Sequence, residues 1–136
     1  MKSHRIDETK MFMLMEKARE GLRFAYAPYS KYEVGAAVLT TEGNVYNGGN
    51  IENAAFGSSL CAEKVAIAKA VSSGQRNILA LAVVTSTDES ASLCGDCRQV
   101  ISEFSSECVV VTKGDKTGFK VTTVKDILPN AFILEK

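Results

Sequence analysis

Two stretches of the chain, NILALAVVTS at 77–86 and CVVVT at 108–112, are apolar at nearly every position. A strand with one wet face alternates apolar and polar residues, whereas a continuous apolar run must be covered on both faces. Such runs therefore confine the chain to a sheet sandwiched between layers. The remaining segments say what the layers are. Met11, Leu14, Met15, Ala18, Leu22 and Ala25 recur close to the helical period, which predicts a helix over about Asp7 to Tyr26, ended by Pro28. VGAAVLTTEGNVYNGG reads as a hairpin: Val34 to Thr40, a turn at Glu42-Gly43-Asn44, and a return strand to Gly48. A polar loop from Asn50 to Ser59 precedes a helix from Cys61 to about Ser73, with Gly74 as its stop. A loop over Thr87 to Leu93 leads to a helix from Cys94 to about Phe104, and a turn at Lys113 to Gly118 to a short strand, Phe119 to Thr122. The helix VKDIL then closes at Pro129. Strands and helices alternate, so the expected class is a layered α/β domain spanning residues 1–136.

Charge narrows the choice of partners. Lys plus Arg and Asp plus Glu are equal at 16 each, so the chain lacks the excess positive charge with which proteins neutralise phosphates. A nucleic acid polymer is not expected, and a small ligand without phosphate fits better. No stretch reaches transmembrane length, and the apolar run Met11 to Met15 is too short for a signal segment. The expected location is the cytoplasm, where the four cysteines suit metal binding or catalysis better than a disulfide framework.

Cys94 and Cys97 form CGDC at the start of a helix. By itself the pair fits a zinc half-site, a redox pair or a chance spacing. A redox pair leaves Cys61 unexplained and wants a nearby proline, and the two prolines, Pro28 and Pro129, are not well placed for that. Three thiols at helix starts can converge on one ion and leave its fourth position open, as a catalytic zinc requires. Helix N-termini also favour thiolates. Glu63, two residues after Cys61, can overhang the open position without binding the ion, where a carboxylate can shuttle protons. The bland reading is that Cys61 is a small buried hydrophobe and Glu63 a carboxylate on a helix dipole. Cys108, in CVVV, reads as core, and His4 lies too near the end of the chain to join a site.

CAE at 61–63 followed by CGDCRQV at 94–100 resembles the small, tetrameric-type cytidine deaminases of pyrimidine salvage, which act on free nucleosides. YAPYSKYEVGAAV at 26–38, NIENAAF at 50–56 and LPNAF at 128–132 match the same family in the same order. The resemblance implies a three-layer α/β/α cytidine-deaminase-like domain with a five-stranded mixed sheet. It implies hydrolytic deamination of cytidine and deoxycytidine to uridine and deoxyuridine, with release of ammonia. One zinc per subunit would be held by Cys61, Cys94 and Cys97, and Glu63 would be the general acid/base, moving protons to N3 of the base and to the leaving amine. The Ala62 N–H would help hold the pyrimidine, Asn50 and Glu52 the ribose hydroxyls, and Tyr32 would lie beside the base. Phe132 would stack on the base from a neighbouring subunit of a homotetramer with shared active sites.

Three positions depart from the family pattern. Lys64 stands where arginine usually follows the glutamate, Leu93 where proline usually precedes the first cysteine of the pair, and Phe56 where tyrosine is commoner. With three thiolates on zinc the site carries about one excess negative charge, so a cation at position 64, next to the metal ligands, is expected to offset it. Lysine does so only in part, as a point charge without arginine's fork. Two other readings compete with an ordinary cytidine deaminase. One is a deaminase of a modified cytosine nucleoside, of the blasticidin S type; the other is a zinc-stabilised binding module without catalysis. Glu63 argues against the module, which has no use for a carboxylate that does not bind the ion.

Overall fold

The apolar runs do form buried strands. A computed structural model describes residues 6–87, 89–114 and 118–136, so His4 and the middle of the expected 113–118 turn lie outside the described residues. Along the chain come α1 (Glu8–Leu22), β1 (Val34–Thr40), β2 (Val45–Gly49), α2 (Ala62–Ser72), β3 (Ile78–Thr85), α3 (Gly95–Phe104), β4 (Val109–Lys113), β5 (Phe119–Thr123) and α4 (Val124–Ile127). The strands make one sheet in the order β2-β1-β3-β4-β5, in which only β3 and β4 pair in parallel. A parallel pair needs a crossover connection, and α3 supplies it.

The pleat sorts the strand residues onto two faces. Ala36, Val38, Leu81, Val83 and Val110 pack against Ala62, Ala66, Ile67 and Ala70 of α2, Cys97 and Ile101 of α3, and Val124 of α4. Ala37, Leu39, Ala80, Ala82, Val84, Val109 and Val111 face the other way, onto Leu14, Met15 and Ala18 of α1. The result is the three-layer α/β/α arrangement that the family resemblance implies. Cys108 is fully buried in the first of these cores, as expected.

One helix boundary differs from expectation. Asp7 caps α1 by accepting from the Lys10 N–H at 2.9 Å, but the helix ends at Leu22, well before Pro28. Tertiary pairing ends it. Tyr26 turns out to donate its N–H to the Asn50 carbonyl and to accept from the Glu52 N–H, each at 2.8 Å, in a parallel bridge to Ile51. The helix α2 stops where Gly74 takes φ +91°, a conformation that glycine adopts without a Cβ clash. Among the described residues no helix is long and apolar enough to cross a membrane.

Helix α1 lies unusually close to the hairpin because glycines line the contact. A Cβ on Gly35 would fall on the Ala18 carbonyl oxygen and 2.6 Å from the Leu22 nitrogen, and one on Gly49 would lie 2.7 Å from the Gly21 oxygen. Backbone cannot yield as a flexible side chain does. Gly35→Ala is therefore expected to destabilise the fold by about 1–3 kcal/mol or more. Gly57→Ala, where nothing lies within 4 Å, should leave the thermal unfolding midpoint nearly unchanged. Equal midpoints for the two variants would contradict this packing.

Candidate active site

The site is built where two helices begin on the same face of the sheet. Cys61 is the N-cap of α2 and Cys94 the N-cap of α3, and Cys97 follows within the first turn of α3. Their Sγ atoms all lie within 4.8 Å of one another, and among the described residues this is the one cluster of its kind. In a tetrahedral zinc site with Zn–S near 2.3 Å the sulfurs are about 3.8 Å apart. The group is therefore close to ligating geometry with no other protein donor in it, and the three residues fit a zinc ion with one position left for a non-protein ligand. Cys108 is not a member of the cluster.

The thiols differ in environment. Burial pushes the Cys61 thiol up, and burial together with the nearby Glu63 charge pushes Cys97 up further. Burial also works against Cys94 but is outweighed: hydrogen bonds from the Cys97 N–H and the neighbouring thiols hold Cys94 below the usual thiol range. The Cys97 N–H lies 3.4 Å from the Cys94 sulfur, a free donor of a helix start turned on a thiolate. A bound cation would draw all three towards the thiolate form.

Glu63, in the first turn of α2, is only 5% exposed, and burial raises its carboxyl above the usual range. It lines a cavity of about 570 Å³ together with Cys61, Cys94, Ala62, Tyr32, Asn50 and Glu52. That volume is in the range of small-molecule sites. Eight of the ten residues singled out in the sequence thus meet at or around one cavity: the three cysteines, Glu63, Ala62, Asn50, Glu52 and Tyr32. Phe132 does not line it; its ring is well exposed and its carbonyl accepts from the Gln99 side chain at 2.9 Å. Lys64 does not line it either, and its ammonium is engaged by the carboxylate of Asp96, one of the two residues between the paired cysteines. Asp96 first, and then the charges of Cys61 and Cys97, hold Lys64 firmly protonated.

Asn50 and Glu52 also fasten the wall of the cavity. Asn50 Oδ1 accepts from the Val34 N–H at 3.0 Å and its Nδ2 donates to the Tyr32 carbonyl at 2.9 Å. Glu52 Oε1 accepts from the N–H groups of Tyr29 and Ser30 at 3.0 and 3.1 Å, and Oε2 accepts from the Ser30 hydroxyl. The Ser30 hydroxyl is the largest influence lowering the Glu52 carboxyl below its usual range, helped by the backbone donors and Lys31. Sequence reasoning passed over Ser30 and Asp96, and it noted Phe56, which lines the cavity, only as a departure from the family pattern. Asp96 had a legible signal, an acid inside CGDC facing a lysine beside CAE. Ser30 had none, because its partner lies 22 residues away.

Comparison with known proteins agrees with this geometry. Residues 8–113 match the family described as the cytidine and deoxycytidylate deaminase zinc-binding region. The chain is similar to a cytidine deaminase of Sporosarcina psychrophila, 47% identical over 134 residues, covering 96% of this chain and 94% of that one. It is 43% identical to a cytidine deaminase of Halalkalibacterium halodurans over 90% of this chain and 94% of the relative. A crystal structure of the Burkholderia pseudomallei cytidine deaminase superposes with a TM-score of 0.83 at 40% identity, covering 89% of this chain and 98% of the other. The three-thiol cluster, the buried glutamate beside it and the matched sequence span agree: the chain belongs to the cytidine and deoxycytidylate deaminase family and carries its zinc-binding region.

Proposed function

We propose that this protein is a zinc-dependent hydrolase that converts cytidine and deoxycytidine to uridine and deoxyuridine with release of ammonia. The observation that carries the reading is Glu63, buried, close enough to the three-thiol cluster to act on its charges, and lining the same nucleoside-sized cavity. A purely structural zinc site leaves such a carboxylate without a role. The cytidine deaminase relatives favour the ordinary nucleoside over a modified cytosine compound.

Zinc held by Cys61, Cys94 and Cys97 supplies Lewis acidity that makes a water nucleophilic near neutral pH. The chain's own residues do the rest. Glu63 takes one proton from the attacking water and delivers it to N3 of the pyrimidine as the C4–O bond forms. It then takes the remaining proton of the added hydroxyl and passes it to the amino group, so that the C4–N bond breaks and ammonia leaves. Its raised carboxyl suits both halves of this exchange, since a base that must also act as an acid works best with a proton affinity nearer the working pH. The Ala62 N–H, at the start of α2, orients the base, and Tyr32 covers its edge.

Asn50 and Glu52 bind the ribose with capacity that the loop does not use. An amide has two N–H donors and a carboxylate about four acceptor positions. One Asn50 donor goes to Tyr32 and three Glu52 positions go to Tyr29 and Ser30. One donor and one acceptor remain, the complement of a single hydroxyl. A homotetramer with shared sites is the proposed assembly, a reading supported by the exposed apolar run of Phe132, Ile133 and Leu134. The protein acts on free nucleosides in the cytoplasm.

Glu63→Gln is expected to lower turnover of cytidine about 10²–10⁴-fold while keeping one zinc per chain, read by ammonia release and metal analysis. Chelation should abolish activity and restored zinc should return it. Cys108→Ser, altering a thiol outside the cluster, should retain the full zinc content; loss of zinc would point to a closed four-cysteine site. Glu52→Gln should raise KM for cytidine about tenfold or more, with a smaller effect on kcat. It should also lower the unfolding midpoint at neutral pH. Because the folded-state carboxyl lies below its unfolded value, Glu52 stabilises above that value and loses its contribution as pH falls through the folded one. The midpoint difference between parent and variant should therefore shrink below about pH 4.3. A difference that stays constant into acid would contradict this account.

A further inference from the structure

We propose that Arg98 is a positioning residue that fixes the Cys94 limb of the metal site by tying it to the end of α4. This inference rests on the zinc-site reading. The three thiols reach the cluster by unequal routes. Cys97 is buried within α3. Cys61 follows Leu60, whose N–H and carbonyl exchange hydrogen bonds with Ile51 at 2.8 and 2.9 Å. Cys94 is exposed and follows the segment 86–93, whose described residues belong to no helix or strand. Something outside that segment must set where its sulfur sits.

Arg98 is one turn into α3 and its side chain runs back past the helix start. Nε donates to the Leu93 carbonyl at 2.8 Å, Nη2 reaches the Ser92 hydroxyl at 3.3 Å, and Nη1 donates to the Ile127 carbonyl at 2.7 Å. Leu93 is buried, so its carbonyl, directly before Cys94, is largely withdrawn from water and needs a partner. Ile127 ends a short helix anchored by the fully buried Val124. One planar guanidinium therefore spans three segments and links an exposed ligand to the core. Lysine cannot reproduce this, because an ammonium is a point donor and not a rigid fork.

Arg98→Lys keeps the charge and the aliphatic stem and removes the fork. In the zinc-loaded variant, transfer of zinc to a competing chelator should be about 10–100-fold faster than in the parent. In the cobalt(II)-substituted form its ligand-field and thiolate charge-transfer bands should shift, a signature of altered ligand geometry that a general loss of stability does not produce. Ser92→Ala, which leaves the helix and core untouched, should speed release about twofold, the equivalent of a weak exposed hydrogen bond. Parent-like release and an unchanged cobalt spectrum in Arg98→Lys would overturn the assignment. If that variant does not fold, an unchanged release rate in Ser92→Ala overturns it instead. Release is read without substrate, so a parent that holds zinc but leaves cytidine intact overturns the deaminase reading alone.

Discussion

The site depends on two helices, α2 and α3, starting side by side on one face of a sheet that is buried on both. That arrangement follows from the strands. β3 and β4 are apolar on both faces, so helices must cover each side, and their parallel pairing obliges the connecting chain to cross over as α3. Both helices then begin beside the carboxyl end of β3, whose Val83 and Thr85 line the cavity, the position at which open α/β sheets gather their ligands. A thiol at each helix start is already near its neighbours before any metal is considered. Free N–H donors at those starts supply the positive field that thiolates need.

Much of this was legible because each signal was local. Capping turns, the glycine stop after α2 and the continuous apolar runs all act over a few residues, and the structure reproduces them closely. The cysteine spacing was legible for the same reason: helix starts fix where Cys61, Cys94 and Cys97 emerge. What the sequence hid is long-range. The end of α1 is decided by backbone pairing of Tyr26 with Asn50 and Glu52, which no window around Pro28 reveals. Lys31 adopts φ +62°, an uncommon left-handed conformation for a residue with a Cβ. Its neighbours Tyr29 and Ser30 are held by Glu52, more than twenty residues away, so the strain is sustained by a contact that only the fold creates.

The same contact alters how Asn50 and Glu52 are understood. As a sequence motif they read as a pair waiting for a hydroxyl. In the folded chain Asn50 spends about half and Glu52 most of its hydrogen-bonding capacity on the wall formed by residues 29–34, so the proposed ribose contact would draw on the same atoms. These bonds fix that wall of the cavity in the chain alone, and under the proposed function a preformed wall would lower the ordering cost of binding. The same bonds also explain why a carboxylate is needed at position 52: two amide N–H groups and a hydroxyl all donate to it, and the charged acceptor strengthens each bond.

Charge balance at the metal site does not rest on position 64 alone. With zinc bound, three thiolates leave an excess of about one negative charge. Lys64 is a nearby cation that feels the charges of Cys61 and Cys97, but its ammonium is also paired with Asp96, which offsets part of its field. Lysine's compact head makes such capture by one carboxylate natural, whereas a guanidinium has donors to spare for sulfur. The N-termini of α2 and α3 remain. Each contributes roughly half a positive charge at its first turn, and the cysteine sulfurs sit at those turns. Two helix ends therefore add a positive field of about the size that the ligand set lacks, beside that of Lys64. They supply it through a fixed backbone that cannot move away, and the Lys64–Asp96 pair joins the two helix starts that carry the sulfurs.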